Sequence, residues 1–137
     1  MSEFFMPMDP PTVTHQEHQV SVRNGKPVFY EPPKLKEARQ KLTAHLMQHR
    51  PTRPYQNGVR LLTKWCFQVC GNHYDGEYKT TKPDTDNLQK LLKDCMTAAG
   101  FWKDDAIVAS EICEKFWAAR PGIYIKIEPL DWSGDGE

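Results

Sequence analysis

Lys82-Pro83-Asp84-Thr85-Asp86-Asn87-Leu88-Gln89-Lys90 marks the point where an extended approach ends and a helix begins. The proline closes the preceding segment, two carboxylates sit two residues apart, and apolar residues then recur at Leu88, Leu91, Leu92, Cys95, Met96 and Ala99. That spacing is one face of an amphipathic helix, predicted over 86–99 with Gly100 as its C-terminal cap. Asp86 with Gln89 three residues on reads as a capping box. A second acidic pair, Asp104-Asp105, follows the glycine. Carboxylates gathered at helix ends suit a hard divalent cation such as Mg²⁺, which is often held by one or two carboxylates plus the phosphates of a substrate.

Working outward, residues 59–70 alternate strictly, with Leu61, Thr63, Trp65, Phe67 and Val69 on one face, and predict a half-buried strand. Residues 71–81 are polar and turn-rich and read as a mobile loop within reach of DNA. Beyond the acidic pair, 106–117 and 123–127 read as strands separated by Pro121-Gly122. Upstream, Leu35, Ala38, Leu42 and Leu46 predict a helix from Pro33 to about His49, with Pro33 suited to its first turn. Asn24-Gly25 predicts a hairpin between 18–22 and 27–30, because a tight type I′ turn needs positive φ. Short strands are expected at 3–6 and 12–15. The fold expected is α/β (α+β), a small mixed sheet flanked by two main helices. It forms one domain over 1–130, followed by a flexible acidic tail at 131–137.

The 137 residues carry no net charge, which at first speaks against a nucleic-acid partner, but the charge is unevenly placed. Residues 18–64 hold ten Lys or Arg, among them Arg23, Lys34 and Lys36, against two acids. A basic half beside a carboxylate cluster suits a phosphodiester substrate, with cations along the backbone and acids around metal. The same cations are equally consistent with a solvated surface. No apolar run reaches the roughly 18 residues of a membrane span, and Met1–Pro7 has no signal-peptide pattern, so an intracellular protein is expected. Cys66, Cys70 and His73 hint at zinc, but no second Cys/His pair lies nearby. The four thiols are therefore read as reduced and structural.

Each acid also has an ordinary reading: Asp86 as an N-cap, Asp84 in a turn, Asp104-Asp105 in a loop, and Asp86 with Lys90 as an i, i+4 pair. Together these must explain two acidic pairs at the ends of one helix, which favours a site. Asp-x-Asp alone is weak, since it also occurs in dehalogenase-type phosphatases and nucleotide-sugar glycosyltransferases. The polar approach Lys79–Pro83 disfavours the former, and the short chain disfavours the latter.

Lys82–Lys90, then Asp94, then Gly100-Phe101-Trp102-Lys103-Asp104-Asp105-Ala106-Ile107-Val108, closely resembles the signature of the RusA family of Holliday-junction resolvases. Lys115 and the Pro121-Gly122 strand are similar too. So, in the Gram-positive and phage branch, are the Asn24-Gly25 hairpin and Tyr30-Glu31-Pro32. The resemblance implies a Mg²⁺-dependent, structure-specific endonuclease of recombination and repair, cytoplasmic in a bacterial cell or encoded by a phage. Asp84, Asp86 and Asp105 match metal-binding aspartates, Asp104 is a further candidate, and Lys90 matches a catalytic lysine. Lys82, Asn87, Lys115, Arg23, Lys34 and Lys36 are the expected DNA-binding residues. A non-catalytic branched-DNA-binding module and a phosphatase acting on small phosphates are the alternatives.

A helix from 86 to 100 is roughly 20 Å long, and residues 101–105 reach back at most about 17 Å. Asp105 therefore starts at the wrong end to meet Asp84 within one chain. A two-fold homodimer, each metal site taking Asp84 and Asp86 from one subunit and Asp105 from the other, is expected, and it suits a junction with two symmetric cleavage points.

Overall fold

The computed structural model describes residues 1–13, 19–23 and 25–130. In chain order its elements are β1 (Ser2–Pro7), β2 (Gln19–Arg23), β3 (Lys26–Tyr30), α1 (Pro33–Met47), β4 (Val59–Gln68), α2 (Thr85–Ala99), a 3-10 turn (Asp105–Ile107), β5 (Val108–Ala118) and β6 (Gly122–Pro129). The expected hairpin is β2–β3, with Gly25 at φ 76°. Thr12 and Val13 form a bend where a strand was expected. The rest of that segment, Asn24 and the tail at 131–137 lie outside the described residues.

Strand β4 organises the main sheet, whose order is β1-β6-β4-β5. Its alternation is realised as predicted: Val59, Leu61, Thr63, Trp65 and Phe67 are buried, while Arg60, Leu62, Lys64, Cys66 and Gln68 are half-buried or exposed. β6 pairs antiparallel with β4 and places Ile123, Ile125 and Ile127 in the same core. β5 pairs with β4 in parallel, from Val59↔Val108 to Gln68↔Ala118. A parallel pair cannot be joined by a hairpin, and α2 supplies the crossover. Leu35, Leu42 and Leu46 of α1 close the core with Leu88, Leu91, Leu92, Cys95, Met96 and Ala99 of α2. The mixed sheet with two helices is the α+β fold expected. Among the described residues no helix is long and apolar enough to cross a membrane.

Helix α2 stops where expected. Gly100 takes φ 91°, a left-handed conformation a side chain would strain, and the Phe101 N–H donates to the Met96 carbonyl at 3.0 Å. Its start differs from the capping-box expectation. The N-cap is Asp84, whose side chain makes no capping bond, and Asp86 lies inside the first turn. Gln89 faces the sheet instead. Its Oε1 accepts from Thr63 Oγ1 (2.8 Å) and Trp65 Nε1 (3.2 Å), and its Nε2 donates to Glu111 (3.0 Å), which Lys93 also reaches at 2.8 Å. Every member of this chain, which runs from the buried Thr63 and Trp65 out to the exposed Glu111, is partnered, so it fixes the roll of α2 on the sheet.

Candidate active site

Which way α2 rolls decides what its start presents. With Leu88 and Gln89 turned inward, Asp84, Asp86 and Lys90 are all exposed. Asp84 has extended dihedrals, and its carboxylate, 48% exposed, meets only the Lys82 ammonium, at 3.4 Å, among the described residues. That carboxylate does not cap the helix, and the uncapped first-turn N–H groups of a helix favour an anion. Lys90 lies one turn on, 57% exposed, and its pairing is with Asp94 at 3.9 Å rather than with Asp86. Asn87 is 9% exposed, so a direct contact with DNA would have to come through a small accessible edge.

Asp105 lies elsewhere. α2 runs antiparallel to β5: Cys113 Sγ reaches the Thr85 carbonyl, while Glu111 lies beside Gln89 and Lys93. Lys115, whose ammonium touches the Pro83 carbonyl, is seven residues along β5 from Val108, roughly 23 Å at the rise of a strand. Asp105, in the 3-10 turn before Val108, is therefore at the opposite end of the layer from Asp84 and Asp86. Asp104 accepts a hydrogen bond from the Ala106 N–H at 2.9 Å and caps that turn. Among the described residues no three His, Cys, Asp or Glu side chains converge to hold a metal. Asp84 and Asp86 are hard oxygen donors not committed to capping, so they fit Mg²⁺ in kind.

Of the expected DNA-binding residues, Lys34 and Lys36 are exposed on the first turn of α1 and Lys82 is exposed beside Asp84. Arg23 ends β2. Lys115 is half-exposed and donates to the Thr81 (2.6 Å) and Pro83 (2.7 Å) carbonyls. Of the residues that hint at zinc, His73 bonds Glu77 at 3.0 Å and stacks on Trp117. Burial pushes the Cys66, Cys95 and Cys113 thiols up, which disfavours their reactive thiolate form.

The segment 71–81 corrects a second expectation. It is docked on β5 rather than loose: Gly76 N–H donates to Trp117 O, Trp117 N–H to Glu77 O and Lys79 N–H to Lys115 O, all at 2.8 to 2.9 Å. Tyr78 stacks on Phe116, and Asp75 accepts from the Ala119 N–H at 2.8 Å. Lys79, unremarked in the sequence, is 8% exposed. Nothing in its polar neighbourhood signals that burial.

The fold is α+β and of RusA type, a sheet whose parallel crossover opens on a pair of carboxylates. The family described as Endodeoxyribonuclease RusA matches residues 9–128. The chain is 28% identical over 106 residues to a crossover junction endodeoxyribonuclease rusA of Lactococcus phage r1t, covering 76% of this chain and 79% of that one. It is 30% identical over 121 residues to the uncharacterized protein YqaN of Bacillus subtilis (strain 168), covering 80% and 84%. This chain belongs to the RusA family.

Proposed function

We propose that this chain is a Mg²⁺-dependent, structure-specific endodeoxyribonuclease that cuts four-way junctions by symmetric phosphodiester hydrolysis in recombination and repair. It acts as a homodimer, through a single domain spanning residues 1–130, in the cytoplasm of a bacterial cell or of one infected by the phage that encodes it. The observation that carries this reading is the start of α2, where Asp84 and Asp86 are exposed and unused as caps, with Lys90 one turn on.

Hydrolysis adds a water oxygen to phosphorus as one P–O ester bond breaks, and negative charge grows on the phosphoryl oxygens. Asp84 and Asp86, with the partner's Asp105, would hold Mg²⁺, which when bound acidifies a water and polarises a phosphoryl oxygen. The Lys90 ammonium offsets charge on the phosphate, and the open N–H groups of the first turn of α2 orient it. Lys34, Lys36, Arg23 and Lys82 contribute to holding the DNA backbone.

The test is incubation with a synthetic four-way junction and a linear duplex, in Mg²⁺ or EDTA, beside Asp86→Asn. Paired symmetric nicks in the junction that need Mg²⁺ are expected, with cleavage reduced on the order of 100-fold or more in the variant, the scale at which one preorganised charge at a reacting centre is felt. Binding without cleavage would favour a branched-DNA-binding module, and neither activity would favour a hydrolase of small phosphates.

A further inference from the structure

The three peptide units before Asp84 belong to no strand or helix, so no ladder satisfies their carbonyls. Two lysines satisfy them instead. Lys79 Nζ donates to Thr81 Oγ1 (2.7 Å), to the Thr81 carbonyl (3.4 Å) and to the Lys82 carbonyl. Lys115 Nζ donates to the Thr81 (2.6 Å) and Pro83 (2.7 Å) carbonyls. Carbonyls 81, 82 and 83 thus each accept from an ammonium group, and such charge-assisted bonds are stronger than neutral ones.

Both lysines are anchored to the sheet. Lys115 stands on β5 opposite Trp65 of β4. Lys79 lies over the rings of Phe67 (5.0 Å) and Trp117 (4.8 Å), which are themselves a cross-strand pair of β4 and β5. Its backbone N–H is tied to the Lys115 carbonyl at 2.9 Å. Among the described residues neither ammonium pairs with a carboxylate. Burying a cation away from any counter-ion is costly. Burial, and then the charge of Lys115, hold the Lys79 pKa below its ordinary value. Carbonyl dipoles and aromatic faces take the place of the missing counter-ion.

We infer that Lys79 and Lys115 are positioning residues for the candidate active site, a two-lysine clamp that fixes the path of Thr81–Pro83 and thereby the placement of Asp84 and Asp86. This role differs from the DNA contact expected for Lys115, because the bonds to the Thr81 and Pro83 carbonyls already occupy its ammonium. The inference rests on the nuclease reading only for its consequence in catalysis. The clamp itself is a property of the chain.

The test compares Lys115→Gln, Lys115→Arg and Lys79→Gln with the wild type in the full chain. Three quantities are read: kcat and KM for junction cleavage, junction affinity in EDTA as a function of salt, and hydrogen exchange of residues 80–88. The clamp predicts that K115Q lowers kcat roughly 10- to 100-fold, the range for small misplacements of reacting groups. KM and the affinity in EDTA stay within about twofold, and the salt slope is unchanged. Exchange across 80–88 accelerates, while the protected middle of α2 does not change. K115R, which can donate to both carbonyls, restores most of the rate. Lys115 is half-exposed on an edge strand, so K115Q carries the test even where K79Q does not fold. Weaker junction binding with a salt slope smaller by about one and kcat retained would make Lys115 a phosphate contact and overturn the inference. So would unaltered exchange across 80–88. A wild type that does not cleave junctions at all removes the nuclease reading, and the exchange data then still decide the clamp.

Discussion

Gln89 is the residue whose role the sequence concealed most completely. Between Leu88 and Lys90 it looks like a cap partner or a solvated helix position, yet it is 5% exposed and joins Thr63, Trp65 and Glu111. Only the position of β4 under α2 makes a polar side chain fit there, and no local pattern encodes that. Gln89→Leu leaves the Thr63 and Trp65 donors with one partner fewer and leaves Glu111 with Lys93 alone of its two donors. A loss of about 1–3 kcal/mol in stability is expected, measurable by urea denaturation. The acids were more legible. Asp84, Asp86 and Asp105 stand out as carboxylates flanking a strong helical stripe, because side-chain periodicity is a property of the chain itself. The cap was misplaced by two residues, as helix boundaries commonly are. Lys79 and Lys115 were opaque for the same reason as Gln89, since their partners are carbonyls and rings brought close only by folding.

At the level of elements, β4 and α2 followed from period two over 10 residues and period 3.6 over 15. The parallel register of β4 with β5 did not, since nothing in either strand distinguishes parallel from antiparallel pairing. Gly122 shows how tightly the antiparallel side is built. A Cβ there would collide with the Phe5 ring and lie 2.6 Å from the Met6 carbonyl oxygen, so β1 approaches β6 only because the residue is glycine. Gly122→Ala is expected to cost about 1–3 kcal/mol, as overpacking does, and to appear as a lower denaturation midpoint. The segment 71–81 was expected to move because its composition is polar, but it is backbone hydrogen bonds to β5 that hold it. One of its fastenings depends on pH. The His73 ring and the Tyr74 N–H hold the Glu77 carboxyl below its ordinary value of 4.5. A lowered folded-state value means that the folded chain favours the carboxylate. Its contribution is fully present above the ordinary value and is lost as pH falls through the lower, folded one. Amide exchange at Gly76 and Glu77 should therefore speed up relative to the core on acidification below about 4.5, and Glu77→Gln should remove most of that pH dependence.

For the whole molecule, the decisive relation is the distance between two ends of one layer. Asp84 and Asp86 stand at the Lys115 end of β5, and Asp105 precedes its Val108 end. The sequence anticipated this separation from helix length alone, because rise per residue is fixed by backbone geometry. A second subunit is proposed to complete the carboxylate set, and mixed dimers test that most directly. One preparation carries Asp84→Asn and Asp86→Asn, the other carries Asp105→Asn, and the two are unfolded and refolded together before being mixed with a four-way junction in Mg²⁺. In a dimer with shared sites, one site per mixed dimer receives intact Asp84 and Asp86 from one chain and intact Asp105 from the other. Each variant alone should be inactive, while the mixture should nick a single strand per junction. No nicking by a mixture whose dimers have formed would contradict the shared site.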